Sequence, residues 1–128
     1  MSIVSENVAA GDLVAAVTRL KADGWRLVTL TSVELDETNM EILYHFDKNL
    51  EMKNLRLAAT KDGKVPSISG VLFTAFLVEN EIRDQFGVIF DGLVLDYQGK
   101  LLNETVQTGA TSPFCRYQVK KAETKEAQ

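Results

Sequence analysis

The chain has 128 residues, enough for one domain with a buried core, and its composition, 45% hydrophobic and 25% charged, is typical of a soluble globular protein. The net charge of −4 gives no reason to expect a nucleic-acid ligand. No apolar run is long enough to cross a bilayer, the first residues lack the pattern of a signal peptide, and the single cysteine excludes an intrachain disulfide.

The first predicted element is a helix over residues 8–23. Ser5 or Asp12 would cap its start, and Gly24 ends it. The apolar side chains at helical spacing are Leu13, Val17 and Leu20. Such a helix is expected to pack on a sheet through this one face.

Three strands are predicted in the next part of the chain, over residues 25–33, 40–47 and 52–60. The first is rich in β-branched and apolar residues. The other two alternate apolar with polar side chains, which is the pattern of a strand with one buried face. Because the connections are short, we expect the three strands to be antiparallel neighbours.

A second helix is predicted to begin near residue 71, with Ser67 or Ser69 as its cap. Gly87 ends this helix, and the position favours a left-handed backbone. A short apolar run at 88–90 follows. The predicted core-facing stripe of the helix, with spacings of three and four residues, comprises Val71, Ala75, Val78, Ile82 and Phe86.

The pattern weakens after this run. Residues 93–97 form either a strand or a docked loop, 103–112 are irregular, and 114–119 form a short edge strand. The charged residues 120–128 are expected to be disordered. Residues 1–119 then make one domain of the α+β class, with two layers and both helices on one face of a mainly antiparallel sheet.

The stretch ENEIRDQFGVIFDG, residues 79–92, resembles the signature of the thirty-kilodalton subunit of NADH–quinone oxidoreductase, which is respiratory complex I. Leu77 stands where that family has tryptophan, Asn80 where it has arginine, and residues 93–94 where it has His-Pro. With the later LDYQGKLL, these departures are similar to the short subunit of energy-converting membrane-bound NiFe hydrogenases. The matching positions are Glu79, Glu81, Ile82, Asp84, Phe86, Gly87, Phe90 and Gly92.

The resemblance implies a non-catalytic, cytoplasmic subunit of a membrane-associated oxidoreductase, peripheral on the inner face of the cell membrane. Its implied partners are a subunit similar to the hydrogenase large subunit, which corresponds to the forty-nine-kilodalton subunit of complex I, and a neighbouring small subunit. The thirty-kilodalton subunit of an NADH–quinone oxidoreductase proper is the alternative, although the chain lacks the C-terminal extension usual there.

Candidate metal and cofactor ligands are few. The chain has one histidine, His45, and one cysteine, Cys115, too few for a zinc site or an iron–sulfur cluster. We expect His45 to be hydrogen-bonded or solvent-facing on its strand, and Cys115 to be inert. No glycine-rich phosphate loop occurs. The chain is therefore predicted to bind no cofactor and no metal.

The charged part of the second helix is the main candidate site. Glu79 and Arg83 are expected to pair on its surface, four residues apart. Glu81 and Asp84 could act as an acid–base pair in a stand-alone enzyme, or could belong to a solvated face. We favour a surface covered by a protein partner, since apolar residues lie beside these charges. A free regulatory module is a further alternative. The predicted partner interface comprises Glu79, Glu81, Arg83, Asp84, Phe86, Gly87 and Phe90.

Overall fold

The computed structural model describes residues 3–98 and 101. Within these residues the chain forms two helices and six strands. In chain order they are β1 Ile3–Asn7, α1 Ala10–Ala22, β2 Arg26–Glu34, β3 Asn39–Lys48, β4 Glu51–Thr60, β5 Lys64–Pro66, α2 Ala75–Phe86 and β6 Ile89–Asp91.

The main sheet has the strand order β1-β4-β3-β2. Strands β2, β3 and β4 form the predicted antiparallel meander, and β1 joins β4 in parallel. Strands β5 and β6 form a separate parallel pair. The predicted α+β class with a mainly antiparallel sheet is confirmed.

One face of the sheet carries the core. Alternate residues of β3 point to it, because successive side chains of a strand face opposite sides. Leu13 and Val17 of α1 and Ile82 of α2 pack against the same face, so both helices lie on one side of the sheet. The buried side chains of β3 are Met40, Ile42, Tyr44 and Phe46.

Strand β1 was not predicted from the sequence. All five of its residues are exposed, so it lacks the alternation that marks a half-buried strand. It is held instead by its backbone ladder with β4, where Ile3 lies opposite Met52 and Asn7 opposite Arg56. The short strand β5 was also missed, since its first residue, Lys64, was assigned to a turn.

The helix starts differ from the expected ones. The N-cap of α1 is Ala9, and no side chain in the described residues caps it, so neither Ser5 nor Asp12 has that role. Helix α2 begins at residue 75 rather than 71, because tight backbone turns occupy the preceding residues, with Val71 N–H bonded to Ile68 O at 3.0 Å.

The predicted end of α2 is confirmed. Gly87 has φ of +78° and is left-handed, and its N–H donates to Arg83 O at 2.8 Å. Residues 93–97 form a docked loop rather than a strand. The expectations for residues 103–128, including Cys115, lie outside the described residues.

Candidate functional site

Glu79 lies in the core, so the surface position expected for it is wrong. It follows Ala75 by four residues and precedes Ile82 by three, which places it on the buried side of α2. Its side chain is 0% exposed. Oε1 accepts the Ile68 N–H at 2.8 Å, and Oε2 accepts the Ser67 hydroxyl at 2.5 Å. Burial raises the pKa of the Glu79 carboxyl to about 7.

The two serines expected to cap α2 extend this network. Ser67 Oγ and Ser69 Oγ are 2.6 Å apart, and Ser69 Oγ accepts the Val94 N–H at 3.1 Å. Ser69 is buried. The serines therefore connect Glu79 to the segment that follows β6, instead of satisfying the first turn of the helix.

Asn80 holds the same following segment. Its side chain is buried. Nδ2 donates to Phe76 O at 2.7 Å and to Leu95 O at 2.8 Å, while Oδ1 accepts the Tyr97 N–H at 3.0 Å. A buried amide that makes three hydrogen bonds is well satisfied, and here two of the three fix residues 95–97 against α2.

Arg83 binds within the chain as well. Nη1 lies 2.6 Å from Asp96 Oδ1, which also accepts the Gln98 N–H at 2.7 Å. The expected pair of Glu79 with Arg83 is therefore wrong: Glu79 turns inward to residues 67–68, and Arg83 turns to the docked loop. A rule based on spacing along the helix does not detect either distant partner.

The remaining charges of the predicted interface are half-exposed. Glu81 lies on the outward side of α2, whereas Asp84 has its Oδ1 buried. Phe86 packs partly against the core, and Gly87 is exposed. Phe90 is buried on the inward side of β6, so it supports the backbone there rather than presenting its ring at the surface. That a partner covers this region stays a prediction.

The structure adds apolar residues that the sequence reasoning missed. Phe73 is 62% exposed and Leu77 is 45% exposed. Leu77 precedes Glu81 by four residues on the outward side of α2, and Phe73 lies in the turn just before the helix. That spacing, and the place of Leu77 at the family's tryptophan, were the available signals. We call Phe73, Leu77, Glu81 and Asp84 the α2 surface.

His45 lies on the sheet face opposite the helices. Its Nε2 is 2.8 Å from Thr31 Oγ1, and its Nδ1 is 2.7 Å from Asn54 Oδ1. Because the amide oxygen only accepts, Nδ1 carries the proton and Nε2 accepts from Thr31. The predicted hydrogen-bonded strand histidine is confirmed. Among residues 3–98 and 101, no group of three His, Cys, Asp or Glu side chains could hold a metal ion.

The chain is therefore a two-layer α+β domain whose second helix carries buried polar side chains. The family model described as the 30 kDa subunit of the respiratory-chain NADH dehydrogenase matches residues 7–114. The chain belongs to that family.

Two curated relatives are both the C subunit of an NADH-quinone oxidoreductase. The protein from Ruegeria pomeroyi is 33% identical over 94 residues, which cover 67% of this chain and 47% of the relative. The protein from Jannaschia sp. is 31% identical over 100 residues, which cover 72% of this chain and 48% of the relative. The chain spans about half the length of these relatives.

A solved structure shares the fold. It is a chain in the membrane-bound sulfane sulfur reductase, an archaeal respiratory membrane complex, with a TM-score of 0.71 and 19% identity. The likeness covers 81% of this chain and 65% of that chain. In the part of the present chain that the structure describes, neither helix is both long and apolar enough to span a membrane.

Proposed function

We propose that the chain is a non-catalytic subunit of a membrane-associated respiratory oxidoreductase and that it docks on a neighbouring subunit through the α2 surface. The observation that carries this proposal is the contrast between side chains of α2 that bind within the chain and apolar side chains nearby that remain exposed. Glu79, Asn80 and Arg83 bind the chain's own segments, while Phe73 and Leu77 remain exposed. Family membership supports a role within an assembly.

The exposed apolar side chains supply the centre of the proposed contact. Phe73 also contacts Phe76, with ring centroids 4.8 Å apart, so its position is partly fixed before binding. Large aromatic and aliphatic side chains that become desolvated carry most of the energy of a typical interface. Leaving Phe73 and Leu77 in water gains nothing for the isolated chain.

The carboxylates supply the border. Glu81 and Asp84 lie on the same side of α2, beyond Leu77, and we expect each to meet a cation or a backbone N–H group of the partner. An apolar centre with a charged border is the usual anatomy of a protein interface. Glu79, the fully buried carboxyl of α2, has both oxygens hydrogen-bonded within the chain, which favours a structural over a catalytic role for it.

We further propose that the complex is of the energy-converting NiFe-hydrogenase type and that the partner resembles its large subunit, with a small subunit nearby. The departures at Leu77, Asn80 and residues 93–94 support this choice. The thirty-kilodalton subunit of an NADH–quinone oxidoreductase is the second candidate, and the two curated relatives favour it. In both cases the chain lies on the cytoplasmic face of the membrane and binds no metal or cofactor itself.

The test is recovery of partners from native membranes. An affinity-tagged chain expressed at its natural level is purified after mild detergent extraction, and the proteins that accompany it are identified. We expect a large subunit of the hydrogenase or complex I type in equal molar amount. A chain that emerges as a free monomer from membranes rich in the intact complex would contradict the proposal.

A further inference from the structure

The turn between β3 and β4 contains a residue type that is unusual for its backbone conformation. Lys48 lies opposite Glu51, so the two strands are joined by a two-residue turn. Both turn residues are left-handed, Asn49 with φ of +50° and Leu50 with φ of +66°. Positive φ at both positions is the type I′ geometry, which strongly favours asparagine followed by glycine. Asn49 fits this preference, and Leu50 does not.

Leu50 is unfavourable in the isolated chain for two independent reasons. A left-handed backbone brings the Cβ atom of any L-residue too close to its carbonyl oxygen, and glycine avoids this contact. In addition, the Leu50 side chain is 86% exposed, more than any other large hydrophobic side chain in the described residues. Within residues 3–98 and 101, neither the turn nor the core accounts for a leucine here.

Side-chain hydrogen bonds on both sides of the hairpin fix the position of the turn. Lys48 Nζ donates to Asp23 O at 2.5 Å, which ties the hairpin to the end of α1. On the neighbouring strand Arg26 makes two hydrogen bonds to Asp47, at 3.0 and 2.6 Å. These hydrogen bonds fix the hairpin that carries Leu50. Because the hairpin is already ordered, a contact through Leu50 would lose less conformational entropy on binding.

The surroundings of Leu50 resemble the centre of an interface. Ile3, which is 61% exposed, lies opposite Met52 at the same end of the sheet. Lys48 and Glu51 flank the turn with charges of opposite sign. We call Ile3, Lys48, Leu50 and Glu51 the hairpin-tip surface. An apolar centre within a mixed-charge border suits a protein surface, whereas a loop that inserts into anionic lipid carries an excess of basic residues.

The hairpin-tip surface and the α2 surface border the same element. The C-terminal end of α1 and its C-cap, Asp23, contact both: Asp23 O accepts from Lys48, and Lys21 Nζ donates to Val71 O at 2.8 Å, two residues before Phe73. Residues 21–23 therefore contact both the hairpin that carries Leu50 and the turn that leads to Phe73.

We propose that Leu50 is a docking residue that inserts into an apolar pocket of a neighbouring protein subunit of the same complex. This inference rests on the proposed function and extends the contact beyond α2. It explains the leucine at a glycine-type position by a gain that appears only on assembly.

Leu50→Gly tests the proposal because its two expected effects have opposite signs. Glycine relieves the left-handed backbone and removes an exposed apolar side chain, so we expect the free variant to melt at the same or a higher temperature. In pull-downs from native membranes, we expect the tagged variant to recover at least tenfold less of the partner subunits than the wild-type chain. Leu50→Ala, which keeps the backbone restriction, is expected to lose the partners as well.

The matched control is Leu35→Gly, which removes another exposed leucine from the turn at the opposite end of β3. It is expected to recover partners at the wild-type level. Wild-type recovery together with undiminished recovery by Leu50→Gly would overturn the inference alone. A wild-type chain that recovers no other subunit would overturn the proposed function and this inference with it.

Two further measurements separate other occupants of the hairpin-tip surface. Sedimentation of the purified chain with anionic phospholipid vesicles, lost in Leu50→Gly, would overturn the protein pocket in favour of a lipid surface. A dimer in light scattering that the same variant dissociates would overturn it in favour of a second copy of the chain. Monomeric chain that does not sediment with vesicles is the expected result.

Discussion

The carboxylate of Glu79 accepts the backbone N–H of Ile68 across 2.8 Å and thereby joins the middle of α2 to the turn that precedes the helix. Burial raises the pKa of this carboxyl from 4.5 to about 7, and the hydrogen bonds from Ser67 and Ile68 offset only part of the rise. Burial raises the pKa of Tyr44 above its usual range, and the nearby carboxylate of Glu79 adds to this rise.

This raised pKa predicts a pH-dependent stability. Between pH 4.5 and about 7 the Glu79 carboxyl holds a proton in the folded chain and has released it in the unfolded chain. The contribution of Glu79 to the free energy of unfolding is therefore full below this range, falls as pH rises through it, and levels off above the folded pKa, with a slope of at most about 1.4 kcal/mol per pH unit. Urea unfolding across this range measures the slope.

Glu79→Gln isolates the contribution of this group, because the amide keeps an acceptor for Ile68 and cannot ionise. We expect the difference in unfolding free energy between the variant and the wild type to change with pH across the same range. Glu81→Gln, on the outward side of α2, is the control and should follow the wild-type profile. A constant difference between Glu79→Gln and the wild type would contradict the prediction.

Asn80→Ala is predicted to release the docked loop. Three hydrogen bonds end on this side chain, and each is worth about 1 kcal/mol net, so we expect a loss of about 1–3 kcal/mol in the free energy of unfolding. The specific readout is amide hydrogen exchange of Tyr97, whose N–H donates to Asn80 Oδ1. Asn54→Ala, on the far face of the sheet, should leave that exchange unchanged; an equal increase in both variants would refute a local role.

Local pattern was sufficient for the meander and for the apolar part of the core face of α2. Strands β3 and β4 alternate apolar and polar residues, and that alternation depends only on neighbours in sequence. Ala75 and Ile82 are buried as their spacing predicts. Strand β1 could not be found in this way, because its exposed residues carry no alternation and its partner, β4, lies more than forty residues away.

The candidate site was harder to predict because its charges choose distant partners. Glu79 shares the helix face of Ala75 and Ile82, but its charge favoured a surface assignment over its spacing. Its burial depends on donors at residues 67–68, which become neighbours only when the chain folds. Arg83 likewise binds Asp96, thirteen residues away, rather than the residue one turn before it.

Gly87→Val is predicted to destabilise the domain by about 1–3 kcal/mol, because a β-branched residue does not adopt positive φ without strain. The backbone at Gly87 has φ of +78°, and a Cβ atom there would lie 2.5 Å from Asp62 Oδ1. Thermal and urea unfolding of the free chain give the measurement. Gly70→Ala, where a Cβ atom meets nothing within 4 Å, is the control and should change stability by less than about 1 kcal/mol. An unchanged melting temperature for Gly87→Val would remove the strain argument.

The last prediction tests the acidic border of the α2 surface. Exposed charges contribute about 0–1 kcal/mol to the stability of a folded chain, whereas truncating one side of a desolvated pair costs roughly 2–5 kcal/mol in binding. We therefore expect Glu81→Ala to fold with an unchanged melting temperature, and the double variant with Asp84→Ala, which also removes the buried Asp84 Oδ1, to remain folded. Its assembly with the large subunit should weaken at least about tenfold, equivalent to about 1.4 kcal/mol.

A melt of the free chain and co-purification of the complex give the two readouts for this double variant. Its charge-matched control is Asp12→Ala with Glu37→Ala, which removes two exposed carboxylates away from α2 and should assemble normally. If the α2 variant unfolds, Glu81 and Asp84 are structural groups of the chain itself. If it folds and assembles like the control, they belong to a solvated face, and the contact must then depend on Phe73 and Leu77 without them.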